Sequence, residues 1–192
     1  SDVYKRQIGI TVQNNRYSSY KWIKHSIGNR QSLINDQVNS IIEDSDGDLW
    51  FGTNNGISLL NSKTGQWRSF LSSFEKNQDS RSHIFTTLCE VLPGVVWAGG
   101  YFSGIYQIDK RSSNVSYFTP ASYAYENIRP DKYIRDIRKD SQGNIWSGGF
   151  YNLKRINVHT KNIQLYHGLN SITAILERDA KSMWIGRATG LF

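Results

Sequence analysis

A tryptophan followed two residues later by glycine recurs along this chain, at Trp50, Trp97, Trp146 and Trp184 with Gly52, Gly99, Gly148 and Gly186. This recurrence constrains the fold more than any other feature. The spacings are 47, 49 and 38 residues. Twelve residues before each tryptophan stands Val38, Phe85, Ile134 or Ile172, and nine before it Ile41, Leu88, Ile137 or Ile175. A period near 40 residues with several short strands per unit is the pattern of radially repeated sheets, because one meander cannot bury both of its faces alone.

The clearest unit, Val38 to Phe70, shows the strands. Apolar runs at Val38–Glu43, Leu49–Thr53, Ile57–Leu60 and Gln66–Phe70 alternate with the turns Asp44-Ser45-Asp46-Gly47, Asn54-Asn55-Gly56 and Lys63-Thr64-Gly65. The expectation is an all-β chain: a β-propeller fragment of about four blades, each a four-stranded antiparallel meander, incomplete at both ends. Gly9-Ile10-Thr11-Val12 aligns on Gly56-Ile57-Ser58-Leu59, with Tyr20 on Trp67 and Ile23 on Phe70. Residues 8–23 therefore read as half a blade, followed by blades at 38–70, 84–118 and 134–166 and a partial blade at 172–192. Residues 1–7 carry Asp2 to Gln7, DVYKRQ, which resembles a translated sequencing-library adaptor. They are set aside, leaving 8–192 as the partial propeller of a longer, metagenomic reading frame.

The tryptophans and their glycines are expected to be structural. Trp50 and Gly52 share one face of their strand, and a glycine there leaves room for the large side chains of the facing blade. The first-to-second-strand turns, such as Asp44–Asp48, are expected only to close hairpins. Asp44-Ser45-Asp46-Gly47-Asp48 starts like a calcium loop, but Leu49 and Asn55 stand where an EF-hand needs glycine and glutamate.

Other chemistry finds little support. His25, His83, His159 and His167 lack metal-ligand spacing, Cys89 has no catalytic context, and no phosphate-binding loop or GxSxG is present. No catalytic residue, metal or cofactor is expected. Ser141-Gln142-Gly143-Asn144-Ile145-Trp146 resembles the aspartate-box turn of sialidase-type propellers, which is itself structural. The net charge of +7 invites nucleic acid as a partner. The basic residues are scattered, though, and Arg135, Arg138, Lys139, Lys154 and Arg155 read as solvated strand faces. No nucleic acid is expected, and no run of 18 apolar residues exists to span a membrane.

The second-to-third-strand turns differ. Thr53-Asn54-Asn55-Gly56 is small and polar, whereas Gly100-Tyr101-Phe102-Ser103-Gly104 and Gly149-Phe150-Tyr151-Asn152 each carry an aromatic pair. Asn152 is expected to take the left-handed conformation that glycine takes in the other turns. Tyr101, Phe102, Phe150 and Tyr151 are candidate ligand-binding residues on the face reached by the inter-blade linkers. Arg129, Tyr133, His83 and Arg187 are the polar candidates beside them. Aromatic rings offer sugar rings a flat apolar surface. The alternative is that these rings only fill gaps between blades.

The stretch VNSIIEDSDGDLWFGTNNGISLLNSKTGQWRSF resembles the two-component-regulator propeller repeat, most closely at Val38–Phe70 and Ile134–Ile156. Val91-Leu92-Pro93, Lys181 and Ser147 depart from the pattern. The resemblance implies a periplasmic, non-catalytic ligand-sensing module of a Bacteroides-type hybrid histidine kinase. Its ligand would be a glycan fragment, and its further blades and signalling domains would lie in the same parent chain, a homodimer. The alternative is a propeller enzyme of the streptogramin-lyase or sialidase-like type.

Overall fold

The computed structural model describes residues 10–13, 20–72, 83–118 and 132–192. Every named element among the described residues is a strand. Strands β1 (Ile10–Gln13) and β2 (Tyr20–Ile23) form an antiparallel pair with Ile10 opposite Ile23. This is the pairing expected from the alignment on Ile57 and Phe70, which also face each other.

Three four-stranded antiparallel meanders follow. The first is β3 (Val38–Glu43), β4 (Leu49–Thr53), β5 (Gly56–Leu60) and β6 (Trp67–Phe70). The second is β7 (Ile84–Leu92), β8 (Val95–Tyr101), β9 (Gly104–Asp109) and β10 (Val115–Tyr117). The third is β11 (Ile134–Lys139), β12 (Ile145–Gly149), β13 (Leu153–Ile156) and β14 (Ile163–Tyr166). A three-stranded sheet ends the chain: β15 (Ile172–Asp179), β16 (Ser182–Arg187) and β17 (Gly190–Leu191). Inner strands pack in order, β3 on β7, β7 on β11 and β11 on β15, and β15 does not return to β3. The sheets form an open propeller arc.

Apolar cores lie between successive sheets. Trp50, Ile57 and Leu59 meet Phe85, Val96 and Ile108 across the first interface. Trp97 and Val91 meet Ile134, Ile137 and Ile156 across the second. Trp146 and Leu153 meet Ile172, Ile175 and Ile185 across the third. The repeated glycines set the spacing. A Cβ on Gly99 would lie 2.5 Å from Cγ2 of Ile134, and one on Gly148 2.5 Å from Cγ2 of Ile172. At Gly186, with no further sheet behind it here, the nearest atom would be 3.4 Å away.

That uncovered flank corrects one expectation. Trp50 and Trp97 are at most 1% exposed and Trp146 is 8% exposed, but Trp184 is 40% exposed. Its indole faces the side of the last sheet on which no sheet is stacked in this chain, and Arg178 lies over the ring at 5.3 Å. At the other end of the arc, Ile41 is 52% exposed while its equivalents Leu88, Ile137 and Ile175 are buried. Position within the array, and not residue type, decides burial.

Each inner strand carries one irregularity at the same place. The ladder skips Asn39, Thr86, Arg135 and Thr173, so one residue per blade is bulged out of register near the start of the strand.

Candidate functional site

The turns at the two ends of the strands are built differently. At one end the first-to-second-strand turns do more than close hairpins, and the expectation is corrected there. Asp44, 5% exposed, accepts from Trp50 Nε1 at 2.8 Å and from the backbone N–H of Asp46 and Asp48 at 3.0 Å. Asp140 repeats this with Trp146 Nε1 at 2.8 Å and the N–H of Gln142 and Asn144. An aspartate six residues before the tryptophan is the sequence signal for this bond, at Asp44/Trp50 and Asp140/Trp146. Val91 holds that position in the second blade and cannot accept, so Trp97 Nε1 is buried without a hydrogen-bond partner among the described residues.

These turns also tie blades together. Ser45 N–H and Oγ donate to Glu90 of the next blade, and Ser141 N–H and Oγ donate to Glu177 of the one after. Lys110, just past β9, inserts its ammonium among Asp44 (2.7 Å), Asp46 (2.8 Å) and Asp48 (2.8 Å) of the preceding blade. Burial pushes the Asp44 and Asp48 carboxyls up, but Lys110 and the hydrogen bonds outweigh it and hold both below the usual carboxylate range. Burial pulls the Lys110 ammonium down, and the surrounding carboxylates more than offset it, so its pKa is raised. The residue at the equivalent place in the third blade is Val158, which packs on the core holding Val91, with Leu92 and Val95 beside it. The charged turn meets a lysine and the apolar turn meets a valine.

The opposite end carries the aromatic candidates. Glycine doublets shape their turns: a Cβ on Gly100 would fall 1.8 Å from the Ile84 carbonyl oxygen, and one on Gly149 1.6 Å from that of Tyr133. Only glycine permits this approach, which lets Phe150 N–H donate to the Tyr133 carbonyl at 3.2 Å. The next residues are thereby held against the linker. Tyr133 joins the two turns. Its ring lies 6.0 Å from Tyr101, 4.4 Å from Phe102 and 6.0 Å from Phe150, and Phe150 meets Tyr151 edge-on at 5.1 Å. Tyr101, Phe102, Phe150 and Tyr151 are 39%, 40%, 51% and 46% exposed, so five rings form one open group across two blades.

Phe102 has φ of 59°, a left-handed conformation unusual for a bulky residue. Asn152, expected to take that conformation in the third-blade turn, does not, and neither Phe150 nor Tyr151 takes it in its place.

The polar candidates divide. Tyr133 is the hub of the group. His83 is 2% exposed, with Nδ1 3.0 Å from the Leu71 carbonyl oxygen. Arg187 bonds Asn170 through Nε and Nη2 and lies over Phe192 at 5.0 Å. Arg129 lies outside the described residues.

Residues 32–55 and 128–151 match the family described as two component regulator propeller. The extracellular domain of a protein assigned as a hybrid two component system, from B. thetaiotaomicron, superposes with a TM-score of 0.77 and 23% identity over 97% of this chain and 24% of that one. The extracellular domain of a protein of the same organism assigned as a one component system gives 0.69 and 18%, over 95% of this chain and 26% of that one. These likenesses establish the propeller fold. A curated relative, Histidine kinase P4 of Formosa agariphila, is 31% identical over 90 residues, which are 45% of this chain and 7% of that protein. The chain thus spans about a quarter of the solved domains and a small part of the kinase.

Proposed function

We propose that this propeller segment is a non-catalytic, extracytoplasmic ligand-sensing module of a two-component histidine kinase. On this reading it lies on the periplasmic side of the inner membrane and answers to an oligosaccharide. The rest of the propeller and the signalling domains belong to the same parent chain, which acts as a homodimer. The family match and the likeness to extracellular sensor domains support the sensor part of this reading.

One observation carries the ligand part: the open group of five rings, Tyr101, Phe102, Tyr133, Phe150 and Tyr151, on one end of two adjacent blades. Exposed ring faces stack on the apolar faces of sugars, and an exposed aromatic group of this extent marks an interaction site.

The test is calorimetric titration of a panel of neutral and acidic oligosaccharides into the wild-type protein and into the Tyr101→Ala, Tyr151→Ala double variant. Lost affinity at an unchanged melting temperature supports a site. Unchanged affinity with a lowered melting temperature assigns the rings to packing, and absence of binding by the wild type to every sugar overturns the oligosaccharide reading.

A further inference from the structure

Two of the four bulged positions at the start of the inner strands share a structural task. Asn39 Nδ2 donates to the carbonyl of Phe85 in the next blade at 3.1 Å, and Thr86 Oγ1 donates to that of Ile134 at 2.8 Å. Each thus stitches its blade to the backbone just before the next bulge. Arg135 occupies the same position in the third blade and makes no such stitch: it is exposed, and no hydrogen bond or ion pair joins it to the described residues. A bulge re-aims a side chain out of the ladder, and here it re-aims a guanidinium where its counterparts are small neutral groups.

Its setting is electropositive. Arg135 lies two residues after Tyr133, at the end of the strands that bears the aromatic turns. Lys132 is exposed on the same linker, and Arg187 stands in the corresponding turn of the next blade. The described carboxylates of these blades lie elsewhere. Glu90, Asp109, Asp140, Glu177 and Asp179 are at or near the opposite strand ends. Asp136, within β11, is taken by Arg138 at 3.1 Å and by the Ile175 N–H at 2.7 Å.

We infer that Arg135 is an anion-binding residue beside the aromatic group, and that the ligand is an acidic oligosaccharide bearing a carboxylate or sulfate. This rests on the proposed ligand-binding role of the rings and narrows it. A planar guanidinium donates two parallel hydrogen bonds to either anion, and neighbouring cations raise the local concentration of acidic ligands. Stacking supplies affinity for the sugar ring, and Arg135 supplies the choice between acidic and neutral sugars.

Calorimetry on the protein with tetragalacturonate, a chondroitin-sulfate tetrasaccharide and maltotetraose tests this. Wild type should bind at least one acidic probe at least tenfold more tightly than maltotetraose, and more weakly as salt rises. Arg135→Gln should lower that affinity tenfold or more with the melting temperature and maltotetraose affinity unchanged, and Arg135→Lys should restore part of it. The galacturonate and sulfate arms separate the two anion sources. Equal affinity for acidic and neutral probes, no binding of either acidic probe, or an unchanged Arg135→Gln affinity overturns the inference. If Arg135→Gln weakens binding while Tyr101→Ala with Tyr151→Ala does not, the anion site stands and the aromatic reading falls. The converse result leaves the rings and removes the anion.

Discussion

The two ends of the blade strands, only a few residues apart along each chain segment, are chemically opposite. At one end, buried carboxylates cap tryptophan indoles, serine hydroxyls meet glutamates of the next blade, and one ammonium closes over three aspartates. The carboxylates of Asp44, Asp48 and Asp140 there each face donors. At the other end five rings stand open, one of them on a strained backbone, and Arg135 faces solvent. Blades are tied to one another at both ends, by Ser45, Ser141 and Lys110 at the aspartate end and by the Asn39 and Thr86 side chains at the aromatic end. Only the aromatic end also presents open rings and a guanidinium unpaired among the described residues. Within the aspartate end, the contrast between Lys110 over acidic residues and Val158 over apolar ones shows that the fixing itself is local and matched pair by pair.

Truncating the residue that both the core and the capping bond depend on gives the largest expected effect. Trp50 is fully buried, stacks on Phe70 at 5.6 Å and donates to Asp44. Trp50→Ala should lower stability by about 3–5 kcal/mol, read from denaturant unfolding. Trp184→Ala, on the uncovered flank, should show much less. Equal losses would break the link between array position and burial.

The ion cluster comes next. Lys110 is 8% exposed, and removing one partner of a buried charge pair costs about 3–5 kcal/mol, so Lys110→Met should destabilise at neutral pH by a sum on that order. The pH dependence identifies the cause. Asp44 and Asp48 are held below their ordinary values, so in wild type they contribute stability that is present above about pH 4 and is lost as pH falls through their folded values. Without the ammonium the indole, backbone and hydroxyl donors remain, and the same kind of donors hold Asp140 below the usual carboxylate range with no lysine beside it. The variant should therefore keep the sign of the slope and lose less stability than wild type as pH falls from 7 toward 4. A deficit independent of pH would mean that Lys110 acts through its packed methylenes only.

Much of this architecture is legible in the order of the residues. The Trp-x-Gly period and the alternation of apolar runs with Gly-bearing turns locate the strands, because core spacing and turn sterics are written locally. Tyr101, Phe102, Phe150 and Tyr151 stand out because bulky rings replace small turn residues. Their convergence on Tyr133 does not, since that contact crosses from a linker to two turns. The Lys110 cluster is invisible in the sequence for a similar reason: its partners are more than 60 residues apart and belong to different blades. The indole caps can be read from the aspartate six residues before Trp50 and Trp146. Arg135 reads as a solvated strand face in the sequence because only the ladder reveals the bulge.

Asp46 sharpens the comparison within the aspartate end. It shares Lys110 with Asp44 and Asp48, but its side chain is 64% exposed against 0% and 3%. Solvent screening reduces such a contact to about 0–1 kcal/mol. Asp46→Ala should therefore lower stability by less than about 1 kcal/mol, while Asp44→Ala, which also strips the Trp50 indole of its acceptor, costs several times more. Parity of the two variants by chemical denaturation would mean that the cluster acts as one unit and that burial does not rank its members.

The smallest expected effect belongs to the aromatic end, and its sign is informative. Phe102→Gly removes a ring 4.4 Å from Tyr133, a contact whose aromatic contribution is about 0.5–1.5 kcal/mol. It also relieves a phenylalanine held at φ of 59°, a strain of about 1–3 kcal/mol. The two nearly cancel, so the melting temperature should stay within a few degrees of wild type or rise slightly. A ring kept on strained backbone without stabilising the fold is one kept for contact with something else, and sugar affinity should fall in the same variant. If Phe102 instead plugs a gap between blades, its removal opens a cavity whose cost exceeds the strain relieved, and the melting temperature drops sharply. That outcome would assign the ring to packing and make the aromatic turns, like the Asn39 and Thr86 stitches beside them, part of what holds the blades together.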